Sequence, residues 1–418
     1  SSGTTTQNVT ITVTGSNDVP VIVVGSTTAS GAITELASTL GSTTPDTASG
    51  VIKFTDADRT NTHTVTLDSV ATSGTTLGLA TLSTVSTWFS LGTLLDSTGA
   101  TTGTNSWSFS AADSYFDYLS SGEVVTLTYA VVVTDTSSGT TTQNVTITVT
   151  GTNDPVSITS SALSLGVTER SATLNSATLD TTSGVIQFTD YDWSELHTAS
   201  QTALSVSGVT SGLTALTTVS SWLSLSVTDY ASGTTGSVTP TFSAADSYFD
   251  YLSSGEVLTL TYTVQVSDAH SSSQSQDVTI TITGSNDAPV VQASSASIAE
   301  LGSTLNSATL DTTSGVIQFT DADLSNTHSV SRNSVTSTGV TSGLATNTTV
   351  LSWLTLGSFA DSTSGVTGTN SWSFSAADSY FDYLSSGEVV TLTYTVKVTD
   401  ASSGTTTQDV TIKVTGTN

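Results

Sequence analysis

The stretch AADSYFDYLSSGEV decides how this chain is read. It stands unchanged at Ala111–Val124, Ala244–Val257 and Ala376–Val389, 133 and 132 residues apart. Fourteen identical residues at near-constant spacing mark a tandem array, and that period governs every other reading. Asp113 in the stretch, or Ser110 just before it, can cap one short helical turn and Gly122 can end it. Tyr115, Phe116, Tyr118 and Leu119 supply apolar bulk, which reads as a buried plug rather than as exposed rings stacking on sugars.

Directly after it the pattern becomes strand. In EVVTLTYAVVVTD, Val125, Leu127, Tyr129, Val131 and Val133 share one face, and Thr126, Thr128 and Ala130 share the other. SGVIQFTD, with Val185 and Phe188, alternates less cleanly. Turn signals such as SSG and TSG recur about every ten residues, no stretch sustains a 3.6-residue period, and helix is expected only within the organising stretch. Each repeat closes on a strand such as Ser137–Gly151, SSGTTTQNVTITVTG, and residues 1–15 are an identical copy. In that copy Val9, Ile11 and Val13 alternate with threonines. It reads as the last strand of a preceding repeat, completed by upstream residues of a longer array or inserted into a neighbouring subunit.

Three junctions follow such strands: Asn17-Asp18, Asn153-Asp154 and Asn286-Asp287, each with Pro at once or one residue later. Pro blocks continuation of the strand, and Asn and Asp favour turns. The chain stops at Gly416-Thr417-Asn418, inside what would be the next junction. The domain expectation is therefore 1–15 as an orphan strand, then β-sandwich repeats at 16–151, 152–284 and 285–418, in an elongated all-β array.

Composition narrows the function. Six Lys+Arg stand against 34 Asp+Glu, a net charge of −28. Nucleic acid and anionic membrane surfaces, which need basic residues, are poor partners for such a chain. Hydrophobic residues make up 36% and include all three aromatics, so cores can form. Charged residues are only 10%, against about 25% in an average globular protein, and Ser and Thr take their place. There is no cysteine, so any stapling falls to metal or to core size. No apolar run reaches the roughly 20 residues of a membrane span. There is no initiator Met and no signal peptide, as in a processed chain or a piece of a longer one.

The acids keep a register. Glu35, Glu169 and Glu300 each precede an Asp-x-Asp pair, Asp56/Asp58, Asp190/Asp192 and Asp321/Asp323, by 21 residues to the first Asp. Calcium takes six to eight oxygen ligands, chiefly carboxylates and carbonyls. A Glu, an Asp-x-Asp and a junction Asn-Asp supply most of one site. The expected sets are Asn17, Asp18, Glu35, Asp56 and Asp58; Asn153, Asp154, Glu169, Asp190 and Asp192; and Asn286, Asp287, Glu300, Asp321 and Asp323. Asp135, Asp268 and Asp400 end strands and can reach the same region. The competing reading is that these residues only form Asx turns.

Taken in order, NDAPV, GVIQFTDAD, YFDYLSSGEVLTLTYTVQVSD and VTITITGSND resemble the VCBS repeat, across essentially all 418 residues. That family is a cadherin-like, immunoglobulin-like module of very large secreted bacterial surface proteins and adhesins. The resemblance implies a calcium-binding β-sandwich in a long extracellular rod, often exported by type I secretion. In cadherins the ligand set meets at the domain junction, with Asn-Asp from the linker. The acidic residue that precedes the Asn in cadherin linkers is missing here, which leaves the number of ions per junction open.

Other candidates weigh less. The one histidine that recurs in every repeat (His63, His197, His328), without cysteine, reads as a strand residue rather than a zinc ligand. Trp88, Trp222 and Trp353 read as core anchors. Trp107 and Trp372 have Pro240 as counterpart, which places that position at the surface. A glycosidase needs one unique carboxylate pair across a cleft, whereas these acids repeat in every unit, and no enzyme is expected. Three functions remain: an extender of a bacterial surface or biofilm adhesin, a subunit of a self-assembling layer, sheath or matrix fibre, and a carbohydrate-binding module on surface polysaccharide. Partners are neighbouring repeats or identical subunits.

Overall fold

The structure, a computed structural model, describes residues 1–99, 101–229, 233–365 and 367–418. The first repeat contains β1 (Val21–Ile22), β2 (Ser30–Thr34), β3 (Pro45–Thr55), β4 (His63–Gly74), β5 (Phe89–Leu95), β6 (Gly103–Ala112), β7 (Val124–Asp135) and β8 (Thr140–Thr150). They form two four-stranded sheets, ordered β1-β3-β6-β5 and β2-β8-β7-β4. β2 runs parallel to β8, with Ile33 opposite Val149, and the other pairs are antiparallel. The later repeats follow the same plan: Leu163–Thr168 lies parallel to Ser273–Thr283, and Ser294–Ala299 to Thr405–Thr415. The protein is thus an all-β tandem array of cadherin-like sandwiches. No described helix is long and apolar enough to cross a membrane.

The alternation read in β7 is the core-forming pattern. Val125, Leu127, Tyr129, Val131 and Val133 are fully buried, as are Val145, Ile147 and Val149 of β8. Trp88, Trp222 and Trp353 anchor the three cores as expected. In the less regular stretch, Ile186 and Phe188 point inward and Val185 is exposed.

Several details differ from the sequence reading. The short helices α1 (Leu82–Thr87), α2 (Leu216–Ser220) and α3 (Asn347–Ser352) lie outside the organising stretch. At five or six residues they are too short to show a period. Each is fixed from the core, because the Tyr129, Tyr262 and Tyr394 hydroxyls donate to the carbonyls of Val85, Val219 and Val350 at 2.8–2.9 Å. The organising stretch holds only a 3-10 turn, Asp113–Tyr115, and Asp113 does not cap it. Its carboxylate accepts instead from Leu36 N at 2.8 Å and Thr39 Oγ1 at 3.0 Å, tying down the loop after β2. Phe116 is buried, whereas Tyr115 is 40% exposed and lies against Trp88. Trp107 and Trp372 are buried, not superficial. Their rings lie over Gly50 and Gly315, where a Cβ would collide. The second repeat tolerates Pro240 there by breaking the facing strand into Leu179–Ser183 and Ile186–Thr189, since proline offers no N–H to the ladder.

Residues 1–20 carry no strand, and Val9, Ile11 and Val13 are 83%, 82% and 87% exposed. The identical stretch at 137–151 supplies β8. A single strand without a partner has nothing to pair with, so the same residues meet two fates. This sets up a paired test. Ile147→Ala should cost about 2–5 kcal/mol in denaturant unfolding of its repeat. Ile11→Ala, in the same local sequence, should stay within about 0.5 kcal/mol. Equal losses at both sites would mean that residues 1–15 are packed.

Candidate metal centre

The parallel β2·β8 pairing decides where the acids go. Glu35 follows β2 and therefore arrives where β8 ends: its N–H donates to the carbonyl of Thr150 at 3.0 Å, and its Oε2 accepts from Thr152 N at 2.9 Å. The chain then returns along β3, so Asp56 and Asp58 lie at the opposite end of the sandwich. The constant 21 residues measure one passage across the domain. This corrects the expected grouping. Glu35 and Glu169 join the Asp of the junction that follows their repeat, not their own Asp-x-Asp, and Glu300 meets Thr417 at the corresponding end.

At the first seam, carboxylate oxygens of Glu35, Asp117 and Asp154 lie within 4.8 Å of one another. Asp117 belongs to the organising stretch; its Oδ2 accepts from Gly41 N at 2.9 Å, and its Oδ1 has no partner. Asp154 is 1% exposed and neither of its oxygens has a hydrogen-bond partner. Its N–H donates to Asp192 Oδ2 at 2.9 Å, and Asp192 N donates to Asp190 Oδ1 at 3.0 Å. Asn153 Nδ2 reaches Asp268 Oδ2 at 3.3 Å. One repeat's end, the linker and the next repeat's start thus converge.

The second seam repeats the pattern. Glu169, Asp250 and Asp287 form the same triad, and Asp287 is again 1% exposed with both oxygens unpartnered. Asp287 N donates to Asp323 Oδ2 at 3.1 Å, Asp323 N to Asp321 Oδ1 at 3.0 Å, and Asn286 Nδ2 to Asp400 Oδ2 at 3.1 Å. The start of the first repeat holds a more open version, in which Asp18 N donates to Asp58 Oδ2 at 2.8 Å and Asn17 Nδ2 to Asp135 Oδ2 at 3.1 Å. At the far end of the third repeat Glu300 accepts from Thr417 N at 3.1 Å, and Glu300 and Asp382 line an open cup.

Sequence reasoning missed Asp117, Asp250 and Asp382. Their signal was present, since they are invariant acids inside an otherwise apolar plug. It also missed what the histidines do. His63 Nε2 lies 2.9 Å from Asp56 Oδ2 and Nδ1 lies 2.7 Å from Asp96 Oδ1. His197 bridges Asp190 and Asp229, and His328 bridges Asp321 and Asp361, in the same way. Each ring fixes the first Asp of Asp-x-Asp from behind. Burial alone would lower His63 and His197, but the paired carboxylates hold both above the ordinary value.

The seams also have an apolar part. Trp193 packs edge-on against Tyr118 at 6.4 Å, and Ser194 Oγ lies 2.9 Å from Ser120 Oγ. At the second seam Leu324 packs on the second repeat's core, and Ser325 Oγ lies 2.6 Å from Ser253 Oγ. Arg59 stands at the corresponding place in the first repeat.

Desolvation first, then neighbouring negative charge, pushes the seam acids up: Glu35 and Glu169 to about 9, Asp192 and Asp323 to about 8, Asp154 to about 7 and Asp287 to about 6. An oxygen-only set of carboxylates, mostly buried and with both oxygens of Asp154 and of Asp287 unpartnered, suits a hard divalent cation, and calcium fits it. Glu35, Asp117, Asp154 and Asp192 would hold it at the first seam; Glu169, Asp250, Asp287 and Asp323 at the second.

No family model and no curated protein matches the chain. Solved structures similar to it are extracellular cadherin domains. Protocadherin Gamma B7 domains 1-4 are 13% identical over 95% of this chain and 76% of that one, with a TM-score of 0.34. Human CDH23 EC21-23 is 14% identical over 95% and 100%, at 0.35, and the human Desmocollin-1 ectodomain 12% over 95% and 61%, at 0.30. Scores this low carry no weight beyond likeness, and the fold rests on the strand pairing described above.

A carboxyl whose pKa is raised on folding holds its proton more tightly in the folded state, so it stabilises when protonated and destabilises when ionised. In chelator, the melting temperature should therefore fall as pH rises from 4.5 to about 9, the span over which Glu35 and Glu169 are shifted. Calcium, which binds the ionised form, should flatten that slope. A flat or rising profile in chelator would show that the seam acids are solvated.

Proposed function

We propose that this chain is a calcium-stiffened extender of a large bacterial cell-surface or biofilm adhesin, holding a binding tip away from the cell. The observation that carries it is Asp154 and Asp287, buried between repeats with no hydrogen-bond partner for either carboxylate oxygen. Their place between two sandwiches makes the ion a joint between units. The resemblance to the VCBS repeat supports the bacterial, secreted setting. Extracellular calcium modules bind with Kd of roughly 10⁻⁴–10⁻³ M, so the seams would be unfilled in the cytoplasm and filled outside. The chain is then flexible during export and stiff on arrival. No catalytic role is proposed.

The unpaired alternating row Val9, Ile11 and Val13 favours a second reading, as a subunit of an extracellular layer or fibre. Electron microscopy of purified protein separates the two, because an extender gives isolated strings and a subunit gives lattices or filaments.

A ligand that binds only the folded seam stabilises it by about 2.7 kcal/mol at a concentration a hundredfold above Kd. Calcium should accordingly raise the melting temperature and lengthen the particle in solution scattering. Asp154→Asn should remove the first seam's share of the bound calcium and leave the second seam's share intact. If chelation changes neither melting nor dimensions, the acids are turn formers and the extender reading loses its ion.

A further inference from the structure

The three Asp-x-Asp ends are not equivalent. In the first repeat Asn61 Nδ2 donates to Asn17 Oδ1 at 3.0 Å, and Thr136 Oγ1 donates to Asn61 Oδ1 at 3.2 Å. In the third, Asn326 Nδ2 donates to Asn286 Oδ1 at 3.1 Å and Asp323 Oδ2 at 2.9 Å, and Ser402 Oγ lies 3.4 Å from Asn326 Oδ1. A neutral amide thus satisfies the junction Asn at both ends. The second repeat has Glu195 at this place and His270 opposite it, where the others have Ser137 and Ser402.

The exchange removes the donor and adds an anion. Asn153 Oδ1, which corresponds to the oxygen satisfied in the other repeats, is buried without a partner. Glu195 has a side chain 2% exposed, with Oε1 against His270 Nδ1 and Oε2 unpartnered. Carboxylate oxygens of Asp190, Glu195 and Asp268 lie within 4.8 Å of one another, and no such triad forms among the described residues of the other two Asp-x-Asp ends. Several acceptors face one another where the other repeats place an N–H. His197 holds Asp190 and His270 holds Glu195 from outside, and Asn153 Nδ2 donates to Asp268, but no group among the described residues reaches Asn153 Oδ1 or Glu195 Oε2.

We infer that Asp190, Glu195, Asp268 and the Asn153 side-chain oxygen form a calcium position at the first seam that binds more tightly than its counterparts, so that this seam stiffens first as calcium rises. The inference rests on the calcium reading above and adds an order to it. Affinity in oxygen-ligand sites is tuned by the number of ligand charges and by rigidity. Glu195 adds a charge, and His270 positions it.

The test is a reciprocal exchange in the full chain, with calcium titrated by calorimetry. The residues exchanged already occupy these places in sister repeats, so the fold accommodates them. Wild type should show one class of sites roughly tenfold tighter than the rest. Glu195→Asn with His270→Ser should abolish that class without lowering the melting temperature in chelator. Asn326→Glu with Ser402→His should create a second one. Glu195→Gln, which keeps a hydrogen-bonding partner for His270 and loses the charge, should also abolish it. Unchanged isotherms in all three variants would overturn the inference and leave Glu195 and His270 as a structural pair. A wild type that binds no calcium would overturn the calcium reading along with it.

Discussion

The constraint on which this structure depends is like charge taken out of water. At the first seam Glu35, Asp117 and Asp154 lie buried together with Asp192 bonded to the linker, and at the second Glu169, the half-buried Asp250 and Asp287 lie together with Asp323. A buried charge is costly unless it is paired. The chain has six Lys+Arg in all, and among the described residues the one carboxylate paired with Lys or Arg is Asp180, 3.4 Å from Arg170 Nε. Among the described residues no Lys or Arg pairs with the seam acids, so their neutralisation falls to solution, as protons or as cations. Protons leave as pH rises; a divalent ion stays and joins both sides at one point. The balance between adjacent repeats is therefore set by the surrounding medium.

Much of this was legible. The β7 alternation placed Tyr129 and its neighbours in the core, and the Trp88 series anchored it. The acids at constant register were recognised as a set. What the sequence could not show was which end of a sandwich each acid occupies. That depends on β2 lying parallel to β8, a pairing between strands more than a hundred residues apart that leaves no local periodicity. The expected partnership of Glu35 with Asp56 failed for this reason alone. Asp117 escaped notice for a different one: its surroundings, Phe116 and Tyr118, read as core, and a ligand inside a plug looks like a turn former until the linker is seen to pass beside it.

Residues 1–15 and 137–151 sharpen the same point. Their composition, alternation and β-propensity are identical, yet one copy is an interior strand and the other has no sheet. Strand formation here belongs to the pair and not to the segment. Pro240 shows the converse. A residue incompatible with a regular ladder is accommodated because the neighbouring strand breaks, and Leu163 fills the space over Gly184 that a Trp ring fills over Gly50 and Gly315. Sandwich identity survives changes that a per-residue reading counts as decisive.

The seams combine two interactions of different character. Trp193 against Tyr118, and Leu324 against the second repeat's core, are apolar contacts that need no ion and are not weakened by salt. They fix the register in which the carboxylates face one another. The backbone bonds from Asp154 N to Asp192 Oδ2 and from Asp287 N to Asp323 Oδ2 then set the linker in that register. A cation entering such a seam finds its ligands already gathered, and the ordering cost that weakens binding to flexible chains is largely met beforehand. The repulsion among the gathered acids works the other way and loosens the ion-free seam. Apolar docking supplies position and buried charge supplies the demand for an ion. With only the first, the joint would stay closed whatever the medium; with only the second, it would lack a geometry to close into. On the calcium reading proposed above, both together let stiffness follow the ion.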